Sequence, residues 1–337
     1  MNPCWQEFLA TKNAQCENGS VADFGHPAAE FSAAREAAII APLSHLGLIE
    51  CTGDDAKSFL HNQLTSDVNH LTENSAQHSA WCTAKGRMLA SFILYRHAAD
   101  FRALLSADLL QATLKRLKMF VLRSKVSLSD LSETHELIGL AGPKAAAVLS
   151  QAGLPEPLKT FDTAVFAAGK IIRLENSRFI VVVSATEAPR IWDALATQAR
   201  PAGTPIWHWL DIQTGIPLIS EATKEEFVPQ MANFDKIGGV SFNKGCYPGQ
   251  EIVARAQYLG KIKRHLYRIH ATGPILSGSS IFGPETPEHP CGMVANAAPA
   301  PDGGYDALAV IQEGFVDAGS LFLGKLDGEP ISVTALT

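Results

Sequence analysis

Near Gly260 the periodicity of the chain changes, and that change limits the folds open to it. Upstream, runs with the two-residue period of strands alternate with runs of helical period. Downstream, helical periodicity stops. Short strand candidates (Leu266–Ala271, Ala307–Gln312, Ile331–Leu336) alternate there with turns such as Thr272-Gly273-Pro274 and Asp302-Gly303-Gly304. Such a tail reads as a small all-β domain, a barrel or sandwich. A chain of 337 residues exceeds one comfortable core, so the rest must hold further domains.

Within that upstream part the same order of elements occurs twice. Leu46–Cys51 reads as a strand, and Asp55–Leu64 as a helix with Ala56, Phe59, Leu60 and Leu64 on one face. A hairpin follows, Ala80–Ala84 and Met88–Tyr95 around Lys85-Gly86-Arg87, then a strand Phe101–Leu105. The next helix, Asp108–Leu122, carries Leu110, Leu114, Leu117 and Val121 as its stripe, with Lys115, Arg116 and Lys118 outward. The second round has a strand Leu137–Leu140 and a helix opened by Gly142-Pro143. Strands at Ile171–Leu174 and Phe179–Ser184 and a helix Pro189–Ala199 complete it. The predicted class is α+β. The expected division is an irregular leader (1–30), two related α+β domains (31–130 and 131–258) and a β-barrel-like domain (259–337).

Composition excludes several classes. Hydrophobic content of 46% with 18% charged residues describes a globular chain, not a disordered one. No apolar run approaches the roughly 20 residues of a membrane span, and the first residues lack signal-peptide character. A cytoplasmic protein with no membrane contact is expected. A net charge of −6 argues against non-specific coating of nucleic acid. Cys4, Cys16, Cys51, Cys82, Cys246 and Cys291 are scattered, with neither a CxxC pair nor zinc spacing. His45, His78, His97, His135 and His208 show no metal spacing either. No resident metal is expected; if Cys246 meets a cluster, it does so transiently.

One stretch concentrates chemistry: Lys244-Gly245-Cys246-Tyr247-Pro248-Gly249-Gln250-Glu251, followed by Arg255. Pro248 pushes Tyr247 into extended conformation, and Gly245 and Gly249 permit left-handed or crowded backbone. In an extended segment Lys244 and Cys246 share a face, and an ammonium beside a thiol favours the thiolate. Cys246 is then a candidate nucleophile, redox centre or metal ligand. Gln250 and Glu251 open a helix, with Glu251 and Arg255 as an i,i+4 pair. The bland alternative is a small buried cysteine beside a surface ion pair. Lys261, Lys263, Arg264, His265 and Arg268 form a basic run, read as a solvated face or as a contact for carboxylate or phosphate groups.

This octapeptide resembles the K-G-C-Y-x-G-Q-E motif of the YgfZ family, folate-binding proteins of iron–sulfur cluster assembly that are also described as tRNA-modifying. The resemblance extends through Gly215-Ile216-Pro217, Phe227-Val228-Pro229-Gln230 and Gly238-Gly239-Val240-Ser241-Phe242. Upstream it includes Phe59–Val68 and Cys82–Met88, so it runs from about residue 43 to 270.

The resemblance implies the ring-like fold of the glycine-cleavage T-protein around a folate channel, with a C-terminal β-barrel. It implies tetrahydrofolate or another reduced folate as ligand, and iron–sulfur client enzymes or assembly proteins as partners, with possible tRNA contact. The implied role is an accessory factor for iron–sulfur enzymes, including those that methylthiolate tRNA. Cys246 would be its critical group and Lys244 the cation that tunes it. The alternatives are a folate-dependent one-carbon transferase and a cysteine hydrolase with His265 or His208 as base.

By family position Trp207 is the folate-stacking candidate, with a core strand holding Trp207 and Trp209 as the alternative; His61, Lys85 and Arg87 are channel candidates. Three departures stand out: Leu46 where a relative has a folate-contacting tryptophan, Pro248 where relatives carry Thr or Ile, and Ala90-Ser91 where the T-protein has an acidic pair.

Overall fold

The computed structural model describes residues 2–17, 19–260 and 262–336. Its contacts group the chain into two compact units, each assembled from separate segments. One holds residues 1–59, 69–77 and 93–207; the other holds 60–68, 78–92 and 208–337. The contiguous division drawn from sequence cuts the chain differently. The reason lies in long-range strand pairing, which groups segments far apart in sequence.

The first unit is built on a mixed sheet. Its order is Thr163–Phe166, Gly169–Leu174, Arg178–Ser184, His135–Ala141, Ile39–Pro42 and Arg200–Pro201. All pairs are antiparallel except the last, in which Arg200–Pro201 runs parallel to Ile39–Pro42. Phe179–Val183 is an unbroken buried run because both faces of its strand are covered, with Phe179, Val181 and Val183 in the core that includes Ile191, Trp192 and Leu195.

The leader is not irregular. Helix α1 (Pro3–Thr11) is capped by the Asn2 side chain, which accepts from Cys4 N at 2.9 Å. A hairpin, Gln15–Glu17 with Ser20–Asp23, follows. Helix α2 (Pro27–Glu36) comes next, with proline in its first turn. The leader orders because Trp5 and Leu9 of α1 enter the core, where the Trp5 ring meets Trp192 edge-on at 5.6 Å. Short apolar contacts between residues almost two hundred apart leave no local signal.

Helices α3 (Ala56–Gln63), α4 (Ala107–Val121), α5 (Ala145–Gln151) and α6 (Ala188–Ala196) fall where periodicity places them. In α6, Ala188, Ile191, Trp192 and Leu195 are buried at the i, i+3, i+4, i+7 spacing. A second sheet runs Ala76–Cys82, Met88–His97, Asp100–Ser106, Leu46–Thr52 and Ser127–Asp130, and so contains the expected hairpin.

Trp207 and Trp209 sit on a helix, α7 (Thr204–Thr214), not on a strand. At 100° per residue the two indoles point about 200° apart. Trp207 is 2% exposed, with its ring against the Cα of Gly139 and the Arg178 guanidinium 5.4 Å from the ring centre. Trp209 donates its indole N–H to Asp306 Oδ2 at 2.9 Å.

The second unit ends in a closed barrel. Its order is Arg264–Ala271, Tyr305–Gln312, Gly292–Pro299, Ser280–Phe282, Leu321–Leu323 and Glu329–Ala335. A cluster including Ile269, Ile281, Val294, Ala309, Ile311 and Leu321 fills it, with helix α9 (Glu313–Ala318) contributing Phe315. Between α7 and the barrel lies helix α8 (Gln250–Tyr258). No helix among the described residues is long and apolar enough to cross a membrane.

Candidate functional site

The cysteine segment is pinned on both sides before it reaches the thiol. Upstream, Ser241 N donates to Thr65 O at 2.9 Å, and the Thr65 hydroxyl donates to Gly239 O at 2.6 Å. Buried Thr65 thereby ties the approach to the end of α3. Downstream, Gly249 adopts φ +83°, and α8 starts at the next residue. A Cβ on Gly249 would lie 2.4 Å from Thr83 O and 2.7 Å from the Cα of Gly86, the glycine of the hairpin turn. Only glycine satisfies both the left-handed backbone and that approach. Gly245, by contrast, has ordinary φ and room for a Cβ, whose nearest neighbour would be His61 Nε2 at 3.6 Å.

Burial within the segment does not alternate. Lys244 and Tyr247 are buried, while Gly245 and Cys246 are exposed. The expectation that Lys244 and Cys246 share a face is therefore corrected, because the backbone here is a turn with no strand partner. The Lys244 ammonium donates to His61 O and to Leu64 O (2.5 Å for the latter), carbonyls at the C-terminal end of α3. Those groups lack intrahelical partners, and a cation there also complements the helix dipole. The ammonium lies 5.0 Å from the centre of the Tyr247 ring. Burial, opposed by Asp67, lowers the Lys244 pKa to about 8. Lys244 is thus an anchor committed to backbone carbonyls. Burial raises the Tyr247 phenol above its ordinary range, so it stays neutral.

The remaining motif residues have structural partners. Gln250 reaches Lys244 O at 3.5 Å. Glu251 and Arg255 form the expected exposed pair at 3.0 Å, which contributes at most ~0.5 kcal/mol. Gln230 Nε2 donates to Val253 O at 2.7 Å and holds α8 from below. Arg87 donates to Glu226 O and braces the hairpin turn. Lys263, Arg264, His265 and Arg268 fall at the start of the barrel; Lys261 of the same run lies outside the described residues.

No motif in the sequence points to one pairing beside the cysteine segment. His61 Nδ1 lies 3.2 Å from Asp67 Oδ1, and its Nε2 is turned to Gly245, the residue before Cys246. The two residues straddle the end of α3, and the turn after it folds Asp67 back onto His61. An imidazole oriented by a carboxylate can act as a base toward a group that comes within hydrogen-bond reach of it.

Trp207, the folate-stacking candidate, and Leu46, which stands where a relative has a folate-contacting tryptophan, both fall in the first unit. Trp207 is enclosed within the first unit, and the motif belongs to the second. Leu46 lines a cavity of about 40 Å³, with Glu136, Ser44 and His135 among its other walls. That volume suits water, not a bicyclic ring. Glu136 Oε1 and Ser44 Oγ are buried there with no hydrogen-bond partner among the described residues, and burial pushes the Glu136 carboxyl up to about 8. At the position of the acidic pair, Ala90 is fully buried and Ser91 Oγ accepts from Ile219 N at 3.0 Å, so no carboxylate is present.

Comparison with known proteins places this geometry. The profile of the GCVT N-terminal domain matches residues 19–160. The tRNA-modifying protein YgfZ of Photobacterium profundum is 35% identical over 228 residues, 67% of this chain and 68% of that one. The Escherichia coli (strain SE11) protein of the same name is 33% identical over 248 residues, 73% and 74% of the two chains. The chain belongs to the YgfZ family. The glycine cleavage aminomethyltransferase T of Bartonella henselae superposes with a TM-score of 0.83 at 20% identity, over 100% of this chain and 97% of that one. This YgfZ member therefore has the T-protein fold.

Proposed function

We propose that this YgfZ member is a folate-binding accessory protein that supports assembly or repair of iron–sulfur enzymes, including those that methylthiolate tRNA, with Cys246 as its critical group. The observation that carries the reading is the presentation of the thiol. Cys51, Cys82 and Cys291 are buried, as packing cysteines are; of the exposed Cys4, Cys16 and Cys246, it is Cys246 that sits on a turn held by buried Lys244 and Tyr247 and closed by Gly249. Such a thiol is accessible to a cluster, a disulfide partner or an electrophile. Lys244 serves it by fixing the turn. The folate component rests on the family and on the T-protein fold, not on Trp207 or Leu46, and no chemical step is routed through it. Names of relatives support a tRNA-modification context.

The test is complementation of a deletion strain with Cys246→Ala. Loss of iron–sulfur enzyme activity and of tRNA methylthiolation, with the variant folded and expressed, supports the reading; full rescue overturns it. Titration calorimetry with tetrahydrofolate tests the ligand separately.

The Asp67–His61 pair favours a second reading, a cysteine-dependent hydrolase or acyltransferase with His61 as base in place of His265 or His208. That reading requires His61→Ala to slow alkylation of Cys246 near neutral pH, and equal rates would remove it. A one-carbon transferase lacks a carboxylate at Ala90-Ser91, and failure of the purified protein to turn over methylenetetrahydrofolate is the expected result.

A further inference from the structure

Beside α8 the second unit contains a cavity of about 490 Å³. Its apolar walls are Val228 and Met231 at the 228–232 turn, Ile252 and Ala256 from α8, and Ile262 from the segment leading into the barrel, with Gln312 as a polar neighbour. Exposed Lys263 and Arg264 stand at its edge, and neither makes an ion pair among the described residues. Arg255 also borders it, with its charge shared with Glu251. The volume lies within the range of small-molecule pockets, which are mostly apolar with a few polar groups that fix orientation.

We propose that this cavity binds an organic anion, an apolar body of about bicyclic size carrying a phosphate or carboxylate. The apolar walls release water on contact with the body. Lys263 and Arg264, exposed at the rim, pair with the charge, and a hydrogen bond between ionised groups is stronger than one between neutral groups. The site bears on the cysteine segment through Ile252. That side chain lines the cavity and also packs on the hairpin turn, since a Cβ on Gly86 would lie 3.1 Å from its Cβ. Ile252 is three residues from Gly249. An occupant therefore braces the start of α8, where the thiol-bearing turn ends.

The probes are 1-naphthyl phosphate, 1-naphthoate, 1-naphthol and inorganic phosphate, titrated into the full chain by calorimetry. The phosphate ester should bind at least about tenfold tighter than naphthol or phosphate alone, because body and charge are both needed. The naphthoate arm shows whether a carboxylate serves as well as a phosphate. Ala256→Trp, which fills the cavity, should abolish binding. Lys263→Glu with Arg264→Glu should weaken it by about tenfold or more. Both variants sit at partly exposed positions and should keep the wild-type circular dichroism and melting temperature. Equal affinity for naphthol and the ester, or unchanged binding in Ala256→Trp, overturns the proposal. So does displacement of the ester by 5-formyltetrahydrofolate, which would make this the folate site. None of these outcomes depends on whether Cys246 is needed in complementation.

Discussion

Three glycines near the thiol separate two costs that a single substitution would confound. Replacing Gly249 by alanine forces a left-handed backbone (φ +83°) on a residue with a Cβ, and drives that Cβ to 2.4 Å from Thr83 O and 2.7 Å from the Gly86 Cα. The strain is about 1–2 kcal/mol, and the overlap about 1–3 kcal/mol because backbone atoms must move. Stiffening of the unfolded chain returns roughly 0.4–1 kcal/mol. The expected net loss is about 3 kcal/mol. Gly238 has φ +75° and open space, so its alanine variant carries the strain alone and should lose ~1 kcal/mol or less. Gly245 has neither constraint, and Gly245→Ala should stay within ~0.5 kcal/mol of the parent. Equilibrium urea unfolding of the three variants, compared in the same transition, measures the series. If Gly249→Ala unfolds with the midpoint of Gly245→Ala, the hairpin turn does not abut the motif, and the account of how the thiol is held fails.

Three further outcomes follow from titration and exposure. Lys244 has a folded pKa lowered from 10.5 to about 8, so between those values the unfolded chain holds more protons, and stability should rise with pH from about 8 upward; Lys244→Met should remove that rise in pH-dependent urea midpoints. Glu136 has the opposite sign: its carboxyl, raised from 4.5 to about 8, keeps a proton in the folded state that the unfolded chain has lost. His135, lowered by burial and Arg102 to about 4, opposes this only below its ordinary value of 6.5. Stability should therefore fall between about pH 6.5 and 8, and Glu136→Gln should flatten the fall. Native-state alkylation read by mass spectrometry should label Cys4, Cys16 and Cys246, and spare Cys51, Cys82 and Cys291. Labelling of Cys82, whose thiol burial pushes up to about 12, would contradict the packing described.

Much of the fold was legible because its signals are local. The buried spacing of α6, the hairpin around Gly86 and the strands of the tail each follow from the period of a short window, whereas the six-residue α9 within that tail was not foreseen. The octapeptide was legible for another reason: its glycines, thiol and amide stand in an order that one family shares, and 33–35% identity to its members bears that out. The side-chain directions were not legible. Whether Lys244 lies beside Cys246 depends on the backbone between them, and that backbone turns because distant partners hold it. Thr65 ties Gly239, the end of α3 receives the ammonium, and Gly86 admits Gly249.

The same limit explains the other corrections. Trp207 and Trp209 are compatible with a strand or a helix, and burial against Gly139 and the bond to Asp306 accompany the helix. The leader looked irregular because α1 is short and draws its order from Trp192. His61 came near the cysteine segment only when the turn to Asp67 closed and residues 183 positions apart met through Lys244 and the α3 carbonyl. Local periodicity and motif order thus determined which elements and which family this chain has. Long-range contacts decided which motif groups anchor and which, the Cys246 thiol among them, face solvent.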